Sequence, residues 1–330
     1  MANPVFYEHG QVYFVTFRTE ENLPFVCIPL INEILWSCIA KAQILYPQEM
    51  IGLSFEANHS HMMLRCVDPE TFPSFIGYVK AESAHAINDL LGIKKHTVWA
   101  QGYDHPKVLN FKGFLNKFAY TILNPFKDRL VAKIEDYKGV NSWKLFQEDT
   151  AIRNVRLFSR SSIFQLEKPE QPWRESSKVL KVLGKENKKV WEVKFDFYSW
   201  KECFPETKDL SDLEVRELMF EGLENFIEET KLEHAKLPKK KFYTDLSKQS
   251  MTKTYRPKKH GRKSLCVSTC KELRKTFLAI YYRLRDRARE VYHLWKSGDL
   301  SVKFPPGMFA PSQPRMENII PIPSTQHQFF

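Results

Sequence analysis

Two alternating runs separated by one residue constrain this chain more than any other feature. "MIGLSFEA" (50–57) and "HSHMMLRC" (59–66) flank Asn58, and strands only a tight turn apart pair antiparallel. On a strand, residues two apart point to the same face. His59, His61, Met63 and Arg65 therefore share one face, and Met62, Leu64 and Cys66 share the other, apolar one. Two imidazoles in register on a rigid support can converge on one cation. A bare H-x-H also arises by chance, so both readings stay open on these residues alone.

The surrounding segments place that hairpin in a larger pattern. "QVYFVTFRT" (11–19) reads as a strand and "IPLINEILWSCIAKAQIL" (28–45) as a helix. A second amphipathic helix is predicted over 72–91, a short strand over "TVWAQGYD" (97–104), and a third helix over "PKVLNFKGFLNKFAYTILN" (106–124). The order strand, helix, strand, strand, helix, strand predicts an α+β fold with a ferredoxin-like antiparallel sheet and appended helices. In the third helix Val108, Phe111, Leu115, Phe118 and Ile122 form the apolar stripe. Tyr120 falls nearly opposite, on the side of Gly113, Asn116, Asn124 and Lys127, with Asn124 one turn further on. It faces either solvent or a second surface, such as the histidine face.

Charge divides the chain unevenly. Residues 1–150 hold 14 Lys and Arg against 16 Asp and Glu, whereas 151–330 hold 36 against 23. Within 236–263 there are eleven basic residues and one acid, Asp245. Such density is either a solvated basic loop or the footprint of phosphate-backbone binding. The second half also contains a connector-like stretch (158–178), a helix over 211–234 opened by the capping box of Ser211 and Glu214, and a long helix over 272–296. On that last helix Leu273, Phe277, Ile280, Leu284, Val291 and Trp295 are expected on one face, before a proline-rich tail over 304–326. Two domains are expected, 1–150 and a basic, largely helical 151–330. No run of 18 apolar residues and no basic-then-apolar leader is present, so a cytoplasmic protein with no membrane partner is expected. The six scattered cysteines read as reduced thiols.

Together the H-x-H, the Tyr-x-x-x-Asn-Pro of "AYTILNPFKDRLV" (119–131) and the trailing "EDYKGVNSW" (135–143) have a specific joint spacing. With the opening strand "YFVTFRTEENLPF" (13–25), they resemble the REP-associated tyrosine transposases of the HUH single-strand nuclease superfamily, over about residues 10–146. The resemblance implies that His59, His61 and Asn124 bind one divalent metal, Mg2+ or Mn2+, and that Tyr120 is the nucleophile. It further implies nicking and strand transfer of single-stranded or hairpin DNA through a 5′-phosphotyrosine, by a monomer or homodimer. Ser60 departs from the family, whose middle residue is bulky and apolar, and thinner packing beneath the site is expected there.

The DNA is expected to lie on Lys239, Lys240, Lys241, Arg256, Lys258, Lys259, Arg262 and Lys263 and on the arginines of 272–296, with Phe242 and Tyr255 as stacking candidates. His105 is a candidate substrate contact, and Tyr137 and Trp143 are expected in the core. The competing readings are a domesticated, non-catalytic hairpin DNA-binding protein, a replication initiator or relaxase, and a zinc hydrolase.

Overall fold

The computed structural model describes residues 6–20, 28–91, 97–156, 190–237, 264–305 and 308. The chain divides after Tyr281 into two compact units, and every element except the last helix lies wholly in Tyr7–Tyr281.

β1 (Val12–Arg18) is a run of β-branched and aromatic residues buried along most of its length, as a central strand demands. α1 (Pro29–Leu45) opens on a proline, where a missing amide hydrogen costs no intrahelical bond. β2 (Glu49–Phe55) and β3 (His59–Arg65) form the expected hairpin, followed by α2 (Phe72–Leu91) and the short β4 (Lys107–Val108). These four strands lie in the order β2-β3-β1-β4, each pair antiparallel. That is the ferredoxin-like sheet. One face presents Tyr13, Val15, Phe17, Ser60, Met62 and Leu64 and meets α2, where Phe72 lies 5.3 Å from the Tyr13 ring. Beside it the Trp99 indole, 5.0 Å from Phe17, donates to Ser83 Oγ on α2 at 2.8 Å.

The segment 97–104 departs from the expected strand. Its backbone pairing is limited to isolated bridges, Asp104 with Thr16 of β1 and Trp99 with Thr19 just beyond it, and the regular pairing comes later, at Lys107. α3 (Phe111–Lys127) consequently starts five residues after the predicted position and runs three residues beyond it, past Pro125. Its end is stabilised by Arg129 in the left-handed region (φ 60°), with Arg129 N–H donating to the Phe126 carbonyl and Leu130 N–H to that of Pro125. This is the paired bond pattern that closes helix C-termini.

α3 covers the second face of the sheet. A Cβ at Gly52 would lie 3.3 Å from the Phe118 ring, so the close approach of α3 to β2 depends on that glycine. The buried side of α3 is wider than the predicted stripe. Phe114, Phe118, Ile122 and Phe126 are buried, while Phe111 and Leu115 are only half-buried. The reason is a second layer, in which Trp200 from a turn at Ser199–Cys203 stacks on Phe114 with ring centres 3.9 Å apart. The trailing motif then clips the edge of the sheet. Phe55 N–H donates to the Val140 carbonyl, Ser142 N–H to that of Leu53, and Asn141 bridges Ser54 and the Ile122 carbonyl. Tyr137 donates to the Phe55 carbonyl from a half-buried position, and α4 (Trp143–Gln147) buries Phe146 rather than Trp143.

Beyond residue 150, β5 (Ile152–Arg156) and β6 (Val190–Lys194) pair antiparallel and meet α1, with Gln43 exchanging two hydrogen bonds with the Lys194 backbone. α5 (Asp212–Ala235) has the predicted capping box and buries Val215, Met219 and Leu223, with Gly222 against Leu115 of α3. β7 (Cys266–Val267) adds to the sheet beside β4, in parallel. Elements on both sides of residue 150 thus belong to one unit.

α6 (Lys271–Lys296) crosses the division. Its buried residues are Tyr281, Ala288 and Val291, whereas Leu273 and Ile280 of the expected face are exposed. Among the described residues, no helix is long and apolar enough to cross a membrane, and Cys38, Cys66, Cys203, Cys266 and Cys270 are free thiols. The connector 158–178 lies outside the described residues.

Candidate active site

The hairpin places His59 and His61 on the face covered by α3, opposite Arg18 and Thr16 of β1 and, for His61, opposite Ser54 of β2. α3 brings Asn124 down onto them. The Asn124 amide nitrogen lies 3.2 Å from His59 Nε2 and 3.2 Å from His61 Nε2. Arg65, at the far end of the same strand face, is paired with Glu49 at 2.7 Å and takes no part.

Protonation is constrained by the neighbours. His59 Nδ1 lies 2.8 Å from the Asn58 side-chain oxygen, which accepts its hydrogen and leaves the Nε2 lone pair facing Asn124. Burial holds both imidazoles below their ordinary pKa; for His61, His59 and two nearby lysines push the same way, and for His59, Asp128 partly offsets it. Both rings are therefore neutral donors at neutral pH. Among the described residues, His61 Nδ1 and Asn124 Oδ1 are buried without hydrogen-bond partners. Turning the Asn124 amide over would bring its oxygen beside the two Nε2 atoms, and side-chain amide orientation is fixed only by such contacts. Two neutral imidazoles and an amide oxygen suit a divalent cation with positions left for other ligands. Among the described residues no group of three His, Cys, Asp or Glu side chains forms a metal cluster. The candidate set thus depends on an amide as its third donor.

Tyr120 joins the same site. Its ring stands edge-on to His61 with centres 5.0 Å apart, with Phe14 of β1 at 6.1 Å and Phe226 of α5 at 6.5 Å. Of the two surfaces open to Tyr120 from sequence, it takes the histidine face while remaining half-buried. Burial pushes its phenol up to about 12, with the charges of Asp128 and Glu56 adding to the rise.

Three residues of the site were not singled out by sequence reasoning. Glu56 is fully buried, donated to by Ser54 Oγ at 3.2 Å, and its carboxyl is held well above the ordinary range by burial, then Asp128, against hydrogen bonds from Ser54 and Asn124. Lys117 stands one turn before Tyr120, with its ammonium 4.9 Å from the Tyr120 ring centre. Asp128 acts electrostatically on His59, Glu56 and Tyr120. A lone acid after the apolar run "MIGLSF" was the available signal for Glu56, and the i, i+3 spacing for Lys117.

His105 does not join this site: its ring packs with Tyr7 and Tyr103 at 5.2 Å each. Lys239, Lys240, Lys241, Phe242, Tyr255, Arg256, Lys258, Lys259, Arg262 and Lys263 lie outside the described residues.

No family model matches the chain, and no curated protein matches it. Among solved structures it is similar to a REP-associated tyrosine transposase bound to a REP hairpin, at 18% identity and a TM-score of 0.40, over 45% of this chain and 86% of the other.

Proposed function

We propose that this chain is a metal-dependent single-strand DNA nuclease and strand transferase, acting on hairpin-associated DNA with Tyr120 as nucleophile. The observation that supports it is the convergence of His59 Nε2, His61 Nε2 and the Asn124 amide within 3.2 Å, with the Tyr120 ring 5.0 Å from His61. The sequence motifs around these four residues agree with that reading.

His59, His61 and Asn124 would hold Mg2+ or Mn2+, which supplies Lewis-acid polarisation of a phosphate oxygen. Tyr120 Oη forms a bond to phosphorus as the bond from phosphorus to the 3′ oxygen breaks. The phenol loses its proton and the leaving 3′ oxygen gains one, giving a 5′-phosphotyrosine and a free 3′-OH. Attack by another 3′-OH reverses the bookkeeping, releases Tyr120 and joins strands without an external energy source. His61 and Phe14 orient the phenol by packing against its ring, and Asn58 holds the His59 tautomer. The basic segment over 236–263 would hold the flanking DNA, since residues 1–150 have more acids than bases.

The test is a denaturing gel of full-length protein with manganese and single-stranded hairpin oligonucleotides drawn from around its own gene. A covalent protein–DNA band in wild type, absent in Tyr120→Phe and abolished by chelation, is expected. Tight hairpin binding with no covalent band across several sequences would instead establish the non-catalytic binder. One observation favours that second reading: as oriented, the Asn124 amide nitrogen lies 3.2 Å from both imidazole Nε2 atoms and can donate to an imidazole, closing the site without a metal.

A further inference from the structure

Lys117, Tyr120, Asn124 and Lys127 occupy one face of α3, at successive spacings of three, four and three residues. The two ammonium groups flank the Tyr120 ring, Lys117 Nζ at 4.9 Å and Lys127 Nζ at 4.7 Å from its centre, and Lys117 also lies 4.6 Å from the Phe14 ring. Both lysines are half-buried, and among the described residues neither makes an ion pair with a carboxylate. Elsewhere in the same unit lysines find such partners, as Lys107 does with Glu8 and Lys201 with Asp212.

Two like charges brought together over aromatic surface repel, and with no ion-paired carboxylate on either lysine among the described residues that repulsion is only partly offset in the free protein. Burial and the charge of Lys127 accordingly weaken the hold of Lys117 on its proton, and both lysines disfavour a charged His61. Attraction of each ammonium to the ring faces of Tyr120 and Phe14 offsets part of that repulsion and holds the two cations beside the phenol. An anion seated between them removes the repulsion and gains two charge-assisted contacts.

We propose that Lys117 and Lys127 form a two-cation clamp that receives the phosphodiester presented to Tyr120. The inference rests on the reading of Tyr120 as a nucleophile toward DNA and adds the groups that seat the reacting phosphate. A phosphodiester holds one negative charge in the ground state. As the phenol oxygen enters with loss of its proton, the reacting phosphorus centre takes on a second. Two cations therefore complement the transition state better than the bound substrate, which is the condition for catalysis. The third side, with His59, His61 and Asn124, is left for the metal.

The experiment compares wild type with the double variant Lys117→Met, Lys127→Met in full-length protein, using inorganic phosphate as probe. Wild type should unfold at a temperature about 3 °C higher with phosphate at tenfold its dissociation constant than with chloride at matched ionic strength. The double variant should lose that gain and should unfold, without phosphate, no lower than wild type, because repulsion is removed. A merely structural role for the lysines predicts the opposite, a lower unfolding temperature with the phosphate gain intact, and that result overturns the clamp. So does a wild type with no phosphate gain. In the covalent assay Lys117→Met should cut the adduct rate at least tenfold and Lys117→Arg should restore part of it. If no adduct forms in wild type while the phosphate gain depends on the lysines, the nuclease reading fails and the anion clamp stands.

Discussion

The two faces of one β-hairpin have been put to opposite uses. On one, Met62 and Leu64 lie against Tyr13, Val15, Leu53 and the α2 side of the core, fully buried. On the other, one residue away along the same strand, His61 is as well buried but sits among Glu56, Asn124 and Tyr120, with partnerless polar atoms on His61, Glu56 and Asn124. Buried polar groups without partners destabilise a fold. Among the described residues this clustering sets the histidine face apart from the apolar one.

The sharpest way to break this contrast is to mutate neighbours on β3. His61→Ala should reduce the metal-dependent adduct by at least about 1,000-fold while costing less stability in the metal-free protein than truncation of an apolar neighbour, since Nδ1 of the ring it removes is buried without a partner among the described residues. Leu64→Ala should cost about 2–5 kcal/mol in stability through the cavity it leaves, with the adduct rate per folded molecule unchanged. Urea titration and the gel assay read the two quantities separately. Comparable stability losses in both variants would show that the histidine face is ordinary core.

The second contrast is in pH dependence, measured by urea unfolding in chelator between pH 5 and 8. Burial holds His59 and His61 below their ordinary value of 6.5, so the unfolded chain binds protons first as pH falls and stability is lost below about 6.5. Glu56 has the opposite sign: its carboxyl stays protonated in the fold above the ordinary 4.5, so stability declines as pH rises through that window toward its folded value. Glu56→Gln should flatten the decline on the alkaline side and leave the acid loss intact. A profile identical to wild type would mean that Glu56 is ionised or exposed.

Much of this was legible because strand alternation and helical spacing are strong, local signals. Alternation placed His59 and His61 together, and the position of Tyr120 off the apolar stripe of α3 marked it for another surface. Pairing between distant segments was not legible. The bridging of Thr16 and Thr19 by Asp104 and Trp99 in place of a strand, the clipping of β2 by Val140–Ser142, and the second layer of Trp200 on Phe114 are long-range contacts with no periodic signature. The extension of α3 past Pro125 also overrides a local rule, since the residue before proline disfavours helix. It matters because it keeps Lys127 on the same face as Tyr120.

A smaller effect separates the site from the basic segment. Replacing Lys239, Lys240 and Lys241 with serine should lower the slope of log binding constant against log salt by about 2 for single-stranded DNA, near 0.7 per lost phosphate contact. The adduct rate at saturating DNA should not change. Loss of that rate as well would place the segment at the chemistry rather than along the flanking strand.

The smallest effect is expected at Ser60, between the two histidines. A serine in place of a bulky apolar residue predicts thin packing under the site, yet Ser60 is fully buried and donates to the Phe17 carbonyl at 3.3 Å. Its two cross-strand neighbours explain this: Phe17 on β1 and Phe55 on β2 both lie directly opposite it. Their rings meet edge-on at 5.9 Å, with Trp99 5.0 Å from Phe17 and 6.1 Å from Phe55. The bulk has moved one strand to either side, so the small residue fits because its neighbours are large. Ser60→Leu should therefore overpack the apolar face and cost about 1–3 kcal/mol, with the adduct rate unchanged because no atom of the histidine face moves. Ser60→Ala should fall within about 1 kcal/mol of wild type, since it removes only one long hydrogen bond. A leucine variant more stable than wild type would show a real void beneath the site, and with it the packing deficit that the serine alone suggests.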